Sequence, residues 1–207
     1  MKNYNLIEDY LDELLPNPKC ELVYFNDYSL LIAIMLSAQT TDKRVNEVTK
    51  VLFNKYDNLK KLKEANIHDL EKIIYPLGNY HKKASNVKEI ARILDEEYLG
   101  VVPQERNILE TFPGIGRKTV NVFYAEYLNI PAIAVDTHVE RVTKRLKLAK
   151  ESDDVLTIEK KLMKNIKREN WGKRHLQLVL FGRYFCKAKN PECLNCKLKN
   201  ICKYKES

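Results

Sequence analysis

The chain has 207 residues, of which 44% are hydrophobic, and 36 Lys and Arg against 28 Asp and Glu give it a net charge of +8. This length suits one large domain or two small ones, and the positive charge favours a polyanionic partner. The longest apolar run, residues 30–36, is too short to span a membrane. The first twenty residues carry acidic side chains where a secretory signal needs an apolar core, so we expect a cytoplasmic protein with reduced or metal-bound thiols.

Helical periodicity dominates the sequence. Apolar residues recur every three or four positions from Leu6 to Leu15 and from Val45 to Tyr56, and residues 30–37 indicate a buried helix between them. We expect further helices at about 59–65, 68–75, 84–98, 116–128, 137–148, 154–166 and 173–184. Residues 132–135 are the one candidate strand, and the 6 glycines provide few of the tight turns that a β-sheet needs. The sequence therefore predicts an all-α protein.

A Pro-Gly-Ile-Gly turn separates two of these helical segments. Pro113 ends the first helix, and Gly114 and Gly116 permit the positive φ angles of a tight turn. Arg117 and Lys118 open the next helix, whose first backbone N–H groups lack helical partners and can hold a phosphate. Such a phosphate contact reads no base sequence. The pattern alone also fits an ordinary connection between two helices.

Lys118 is the first candidate catalytic residue. Its position beside Arg117, at the positive end of a helix, disfavours the ammonium form, and a neutral amine is a nucleophile. The alternative is a lysine that only binds phosphate. Asp136 follows 18 residues later. A helix of about 18 Å followed by an extended return of about 20 Å can bring its carboxylate back beside the lysine. Asp136 or Thr137 equally suits the N-cap of the following helix.

Four cysteines lie close together in the sequence with the spacing C-x6-C-x2-C-x5-C: Cys186, Cys193, Cys196 and Cys202. Four thiolates in so short a segment can close around one metal centre. The spacing favours an iron–sulfur cluster. A structural zinc is the alternative, although four-cysteine zinc sites usually contain two CxxC pairs and this segment contains one. The fifth cysteine, Cys20, is distant from the others and is interpreted as incidental.

The turn with its lysine, the aspartate and the cysteine spacing occur in one order along the chain. Together they resemble the endonuclease III family of DNA glycosylases, and the resemblance extends from about residue 26 to residue 204. It implies a helix-hairpin-helix DNA glycosylase fold, with two α-helical domains and a catalytic cleft between them.

The resemblance also implies domain boundaries and a cofactor. A six-helix domain is expected at 20–130, with the helix-hairpin-helix at about 109–128. Residues 1–19 and 131–207 are expected to form a discontinuous iron–sulfur domain. The four cysteines of its loop 186–202 would hold a [4Fe–4S] cluster.

The implied activity is that of a bifunctional glycosylase and abasic-site lyase in base-excision repair. Members of the family act on a nucleotide that is flipped out of the duplex. Lys118 matches the lysine that attacks C1′ of the sugar, and Asp136 matches the catalytic carboxylate. The resulting Schiff base leads to β-elimination, which cuts the strand on the 3′ side. We therefore expect a monomer that binds double-stranded DNA containing oxidised pyrimidines or abasic sites and associates with the nucleoid through this binding.

The resemblance implies further contacts with DNA. Gln39 matches the glutamine that fills the gap left by the flipped nucleotide, although a polar residue at a helix end is common. Asn79 stands where the family often has a leucine wedge, so this chain departs from the pattern there. His138 is a candidate phosphate contact, with capping or packing as the alternative. In the loop after the first cluster cysteine, two residues are expected to contact the DNA backbone: Lys187 and Lys189.

One more basic pair needs interpretation. Arg141 and Arg145 lie four residues apart on one helix face, and the spacing is typical of a solvated pair.

Three other functions fit part of the sequence. An adenine-mismatch glycosylase of the same superfamily is expected to need a further C-terminal recognition domain, whereas five residues follow Cys202 here, and such proteins usually lack the lysine. A non-catalytic helix-hairpin-helix module stabilised by metal is opposed only by Lys118 and Asp136. An iron–sulfur electron carrier leaves the large basic helical remainder unexplained.

Overall fold

The computed structural model describes residues 2–204, with the backbone alone for Lys2. Over this range the protein consists of α-helices, short 3-10 and π turns and irregular segments, and it contains no β-strand. The α-helices of residues 2–204 are α1 (Lys2–Leu14), α2 (Asp27–Leu36), α3 (Asp42–Lys55), α4 (Leu59–Glu64), α5 (Ile67–Ile74), α6 (Tyr80–Glu97), α7 (Arg106–Leu109), α8 (Arg117–Glu126), α9 (Thr137–Arg145), α10 (Val155–Asn165) and α11 (Trp171–Leu180). The predicted all-α class is confirmed. None of the helices in this range is long and apolar enough to cross a membrane.

Each helix predicted from periodicity overlaps a helix of the structure, with ends displaced by a few residues. The candidate strand at 132–135 is wrong, because this segment is irregular. Its four side chains are nevertheless buried. A short apolar run predicts that its side chains are buried but does not predict the backbone conformation. Here the segment is irregular, and its side chains are buried in the surrounding core.

The chain forms two compact units. The central unit is Glu21–Phe123, and the discontinuous unit comprises the described residues of Met1–Cys20 and Tyr124–Ser207. The domain boundaries predicted from the sequence, after residues 19 and 130, stay a prediction, and residues 205–207 of the second predicted domain lie outside the described range.

Helix α2 is the buried centre of the central unit, since each of its residues after Asp27 is buried. Its start is fixed by a capping box. The Asn26 side chain accepts a hydrogen bond from the Ser29 N–H at 3.0 Å, and the Ser29 hydroxyl accepts one from the Asn26 N–H at 3.0 Å. The Asp27 carboxylate accepts a bond from the Val102 N–H at 2.8 Å. This bond holds the segment before α7 against the start of α2.

The discontinuous unit has its own core, to which both ends of the described chain contribute. Leu11 of α1 is 1% exposed and packs with apolar side chains from α9, α10 and the segment after α11. These partners include Val139, Leu162 and Phe181. Fully burying a side chain of this size contributes roughly 1.5–3 kcal/mol. The N-terminal helix is therefore an integral part of this unit.

A network of polar bonds fixes α1 against α11 within the same unit. Arg174, which is buried, donates from its two Nη atoms to the two carboxylate oxygens of Asp12, both at 2.7 Å. It also donates from Nε to Glu8 Oε1 at 3.2 Å. Gln177 donates to the Leu15 carbonyl at 2.8 Å. The hydrogen bonds from Arg174 hold the pKa of the Asp12 carboxyl well below its usual range.

The Asp12→Asn substitution is expected to lower the free energy of unfolding by about 1–2 kcal/mol at pH 7, a value discounted because the carboxylate is partly exposed. The folded-state pKa lies below the unfolded value of about 3.9. The stability that Asp12 contributes is therefore present above that value and is lost as the pH falls through the folded pKa. In urea unfolding, the difference in the free energy of unfolding between wild type and Asp12→Asn should become smaller from pH 5 to pH 3.

The matched control is Asp57→Asn, which breaks an exposed pair with Lys61. It should change the free energy of unfolding by less than about 0.5 kcal/mol. If the difference in the free energy of unfolding between wild type and Asp12→Asn became larger on acidification, the ion pair of Asp12 with Arg174 would be contradicted.

Candidate functional site

The Pro-Gly-Ile-Gly turn joins α7 to α8 in the central unit. Phe112 before the turn and Ile115 within it are both buried, and the Ile115 N–H donates to the Phe112 carbonyl at 3.1 Å. Gly114 has a φ of +77°, as predicted, and an added Cβ would lie 2.4 Å from Asn86 Nδ2. The prediction of positive φ at Gly116 is wrong. Its carbonyl instead accepts the first hydrogen bond of α8, from the Val120 N–H at 3.1 Å, so this glycine caps the helix.

Lys118 lies in the first turn of α8, and both it and Arg117 are exposed. The N–H groups of the first three residues of α8 precede the first helical hydrogen bond, so they point out of the helix end. These donors and the positive end of the helix dipole form a surface suited to a phosphate. The lysine therefore extends from a helix start that suits phosphate.

Asp136 is the N-cap of α9 in the discontinuous unit. Its Oδ1 accepts a hydrogen bond from the Val139 N–H at 2.8 Å, and the residue is half-buried. The capping role weighed from the sequence is confirmed. A carboxylate has two oxygens and about four lone pairs, so one capping bond leaves acceptor capacity. Lys118 and Asp136 belong to different units, and their pairing stays a prediction.

Gln39 and Asn79 both lie in the central unit in the left-handed conformation. Gln39, in the turn after α2, has a φ of +59°, and Asn79, immediately before α6, has a φ of +46°. Both are exposed. Such angles are uncommon outside glycine and cost about 1–3 kcal/mol each, so the surrounding structure must impose them. The side chain of Asn79 makes no capping bond to α6.

His138 packs within the discontinuous unit. It is half-buried, its Nδ1 lies 3.2 Å from an Nη atom of Arg141, and Gly182 approaches it so closely that an added Cβ would lie 2.9 Å from the His138 Cβ. The packing alternative is therefore confirmed, and a phosphate contact stays a prediction.

The side chains of Arg141 and Arg145 reach the segment of the first cysteine, so their interpretation as a solvated pair is wrong. Arg141 donates to the Cys186 carbonyl at 3.0 Å and to the Gly182 carbonyl at 2.6 Å. Arg145 donates to the Lys187 carbonyl at 2.7 Å. Helical spacing put the two arginines on one face but carried no signal for the loop that packs against it.

The four cysteines are half-buried and line one cavity, together with Tyr10, Phe181 and Phe185. Arg145 donates to Cys186 Sγ at 3.4 Å, and the Tyr204 N–H donates to Cys202 Sγ at 3.4 Å. Burial, with the neighbouring Cys186 and Cys202, raises the pKa of the Cys196 thiol. Among residues 2–204 no group of three or more His, Cys, Asp or Glu is arranged to hold one metal ion. The four thiols nevertheless share one cavity.

The two lysines of the cysteine loop differ in environment. Lys187 is half-buried and pairs with Glu192 at 3.1 Å, whereas Lys189 is exposed. Their contact with DNA stays a prediction.

Comparison with known proteins settles the family. A model of the HhH-GPD superfamily of base excision DNA repair proteins matches residues 32–168. The endonuclease III of Bacillus subtilis (strain 168) is 42% identical over 203 residues, covering 98% of this chain and 93% of that protein. The chain belongs to the endonuclease III family of the HhH-GPD superfamily.

Solved structures of the same family agree. A non-covalent endonuclease III–DNA complex superposes with a TM-score of 0.94 at 44% identity, covering 98% of this chain and 94% of the other. A trapped endonuclease III–DNA covalent intermediate superposes with a TM-score of 0.93 at 43% identity, covering 98% of this chain and 96% of the other. The protein is a DNA-binding enzyme of base-excision repair, a DNA glycosylase with abasic-site lyase activity. Membership favours this function over an adenine-mismatch glycosylase, a non-catalytic module or an electron carrier.

The Gly114→Ala substitution is expected to lower the free energy of unfolding by about 1–3 kcal/mol. The cause is that the alanine is strained at this positive φ and its Cβ approaches Asn86 and Met35. Displacing the Asn86 amide would relieve the contact but not the backbone strain. Thermal or urea unfolding measures the change.

The control is Gly116→Ala in the same turn, where nothing lies within 4 Å of an added Cβ. It should cost less than about 1 kcal/mol, the scale of exchanging an N-cap residue. Equal losses for the two variants would show that the left-handed angle at Gly114 is not a constraint.

Proposed function

We propose that this enzyme removes oxidised pyrimidines from double-stranded DNA and cleaves abasic sites through a Schiff base on Lys118. The single observation that carries the proposal is the exposed Lys118 in the first turn of α8, directly after the hairpin turn. A similar protein, 43% identical, has been trapped as a covalent intermediate with DNA, which requires a nucleophilic side chain.

The chemistry follows in balanced steps. The Lys118 amine attacks C1′ of the flipped nucleotide, the bond from C1′ to the base breaks, and the base leaves with the bonding electrons and takes up a proton. Loss of the amine proton and opening of the sugar give the Schiff base. Its positive nitrogen withdraws electrons, so a proton leaves C2′ and the bond from C3′ to the phosphate oxygen breaks. Hydrolysis of the imine then frees the lysine.

Asp136 would act on the same sugar. Its carboxylate stabilises the positive charge that develops as the base departs and accepts a proton from the attacking amine. The bond from the Val139 N–H to Oδ1 fixes the orientation of this carboxylate. A side chain held in one orientation needs little reorganisation during the reaction.

The remaining contacts would hold the distorted duplex. The first N–H groups of α8, with Gly114, Gly116 and Arg117, hold a phosphate near the lesion. Gln39 and Asn79 enter the space vacated by the flipped nucleotide. Asparagine is shorter and more polar than a leucine wedge, so it hydrogen-bonds the unpaired base and does not stack against it.

Three further basic residues would bind the backbone: His138, Lys187 and Lys189. Arg145 holds the main chain of this loop through the Lys187 carbonyl, which limits the entropy lost on binding. We further propose that the enzyme acts as a monomer.

The donor set of the discontinuous unit fits a [4Fe–4S] cluster held by Cys186, Cys193, Cys196 and Cys202. Support comes from four thiols that share one cavity, which is the donor set that such a cluster takes. When bound, the cluster would cross-link the cysteine segment, residues 186–202. The protein's own part is to shield the site with Tyr10 and to hold the Cys186 segment through Arg141 and Arg145.

The Lys118→Gln substitution is expected to abolish borohydride trapping on abasic DNA, because the amide cannot form a Schiff base. Binding to the same duplex should stay within about threefold, since the backbone N–H groups of α8 still hold the phosphate. Gel analysis of the trapped adduct and fluorescence anisotropy measure the two effects. Lys50→Gln, which changes an exposed lysine of α3, is the control and should trap like wild type. An adduct on Lys118→Gln would refute this assignment of the nucleophile.

Protein purified without exposure to air is expected to contain about four irons per chain and to absorb broadly in the visible range. Elemental analysis by mass spectrometry measures iron and zinc together. Cys196→Ser should reduce the iron content, whereas Cys20→Ser should leave it unchanged. A colourless protein with one zinc per chain would overturn the cluster.

A further inference from the structure

Lys83 of α6 is a buried cation whose role the chemistry above does not use. The residue is 5% exposed, and its Nζ donates to the Ala38 carbonyl at 2.8 Å and to the Leu77 carbonyl at 3.0 Å. Burial lowers the pKa of this ammonium. Within residues 2–204 no carboxylate pairs with it. A desolvated charge without a counter-ion is costly, so its two carbonyl bonds must compensate.

The two carbonyls explain how the charge is tolerated. Ala38 follows the end of α2, and Leu77 is the last residue of a 3-10 turn. The C-cap of α2 is Ser37, so the Ala38 carbonyl lies just beyond the helix and near the negative end of its dipole. A lysine ammonium is a suitable donor for such groups. Lys83 thus joins two helix ends that are distant in sequence within the central unit.

Both carbonyls lie within two residues before the residues assigned to the gap in the duplex. Ala38 is followed by Gln39, and Leu77 is separated from Asn79 by Gly78 alone. Both gap residues have positive φ angles, which persist only where the surroundings impose them. Lys83 also donates its own N–H to the Asn79 carbonyl at 3.1 Å. One residue therefore bonds to the backbone of both turns.

We propose that Lys83 is a positioning residue that sets the two gap-filling turns, 38–39 and 77–79, in one shared geometry. The inference rests on the proposed function, because it assigns Gln39 and Asn79 to the vacated space. Neither turn by itself fixes the distance between the side chains of Gln39 and Asn79. The Lys83 ammonium has three donors and a compact charge, and it fixes that distance by bonding to the backbone carbonyls of both turns.

The test compares Lys83→Met with Lys88→Met. Methionine keeps an unbranched apolar stem and removes the charge. Lys88 lies on the same helix and also donates to a carbonyl, that of Ala65 at 2.7 Å, away from both turns. Single-turnover cleavage of thymine-glycol and abasic duplexes should slow roughly 10- to 100-fold in Lys83→Met, the scale of a displaced positioning group. Lys88→Met should match wild type.

Two further readouts separate positioning from general support of the fold. A duplex with 2-aminopurine opposite a tetrahydrofuran abasic analogue should lose its fluorescence increase with Lys83→Met, while affinity for undamaged duplex stays within about twofold. In a Gln39→Ala, Asn79→Ala background, Lys83→Met should slow cleavage less than about twofold further, because the side chains it positions are gone.

The outcomes are distinct. Wild-type protein that cleaves neither duplex overturns the proposed function. Cleavage by wild type with equal rates for Lys83→Met and Lys88→Met overturns the positioning role alone, as does a full rate loss in the doubly substituted background. Should Lys83→Met fail to fold by circular dichroism, Lys83→Gln takes its place. Its amide nitrogen keeps two donors but lacks the charge and lies one atom closer to the backbone than Nζ, so the same pattern is expected with a smaller loss.

Discussion

The unpaired backbone groups at helix ends determine where the candidate functional residues of this protein lie. An α-helix leaves four N–H groups at its start and four carbonyls at its end without partners. Lys118 lies at the start of α8 and Asp136 caps α9. Lys83 satisfies a carbonyl just after α2 and another at the last residue of a 3-10 turn. In an all-helical protein these ends are where backbone polarity is available to bind, orient or neutralise a charged group.

Helix α9 shows how one element serves two purposes within the discontinuous unit. Its first turn holds the Asp136 carboxylate through the Val139 N–H, and its later turns hold the cysteine segment through Arg141 and Arg145. Gly182 permits the close approach of that segment, since its Cβ position lies 3.1 Å from the His138 carbonyl. A shift of the helix would therefore disturb the candidate carboxylate and the candidate metal site together.

The helical class, the helix positions and the candidate residues could be predicted because they depend on local patterns. Periodicity predicts which side chains are buried, and the Pro-Gly-Ile-Gly sequence predicts a tight turn with a positive φ at Gly114. What depends on tertiary neighbours could not be predicted. Gly116 is a cap and not a left-handed residue, and the two arginines of α9 bind a loop more than forty positions away. Lys83 gave no signal, because a lysine in an amphipathic helix is ordinarily solvated.

The placement of α1 has a consequence for how the protein is made. The central unit is contiguous, so a ribosome can release all of it while the residues that follow it are still being translated. Helix α1 is translated before the central unit, yet Leu11 and the partners of Asp12 belong to a unit whose other members are translated after the central unit. The apolar face of α1 can therefore be covered only after the central unit has been translated, when α9, α10 and the cysteine segment follow and complete the unit that buries it.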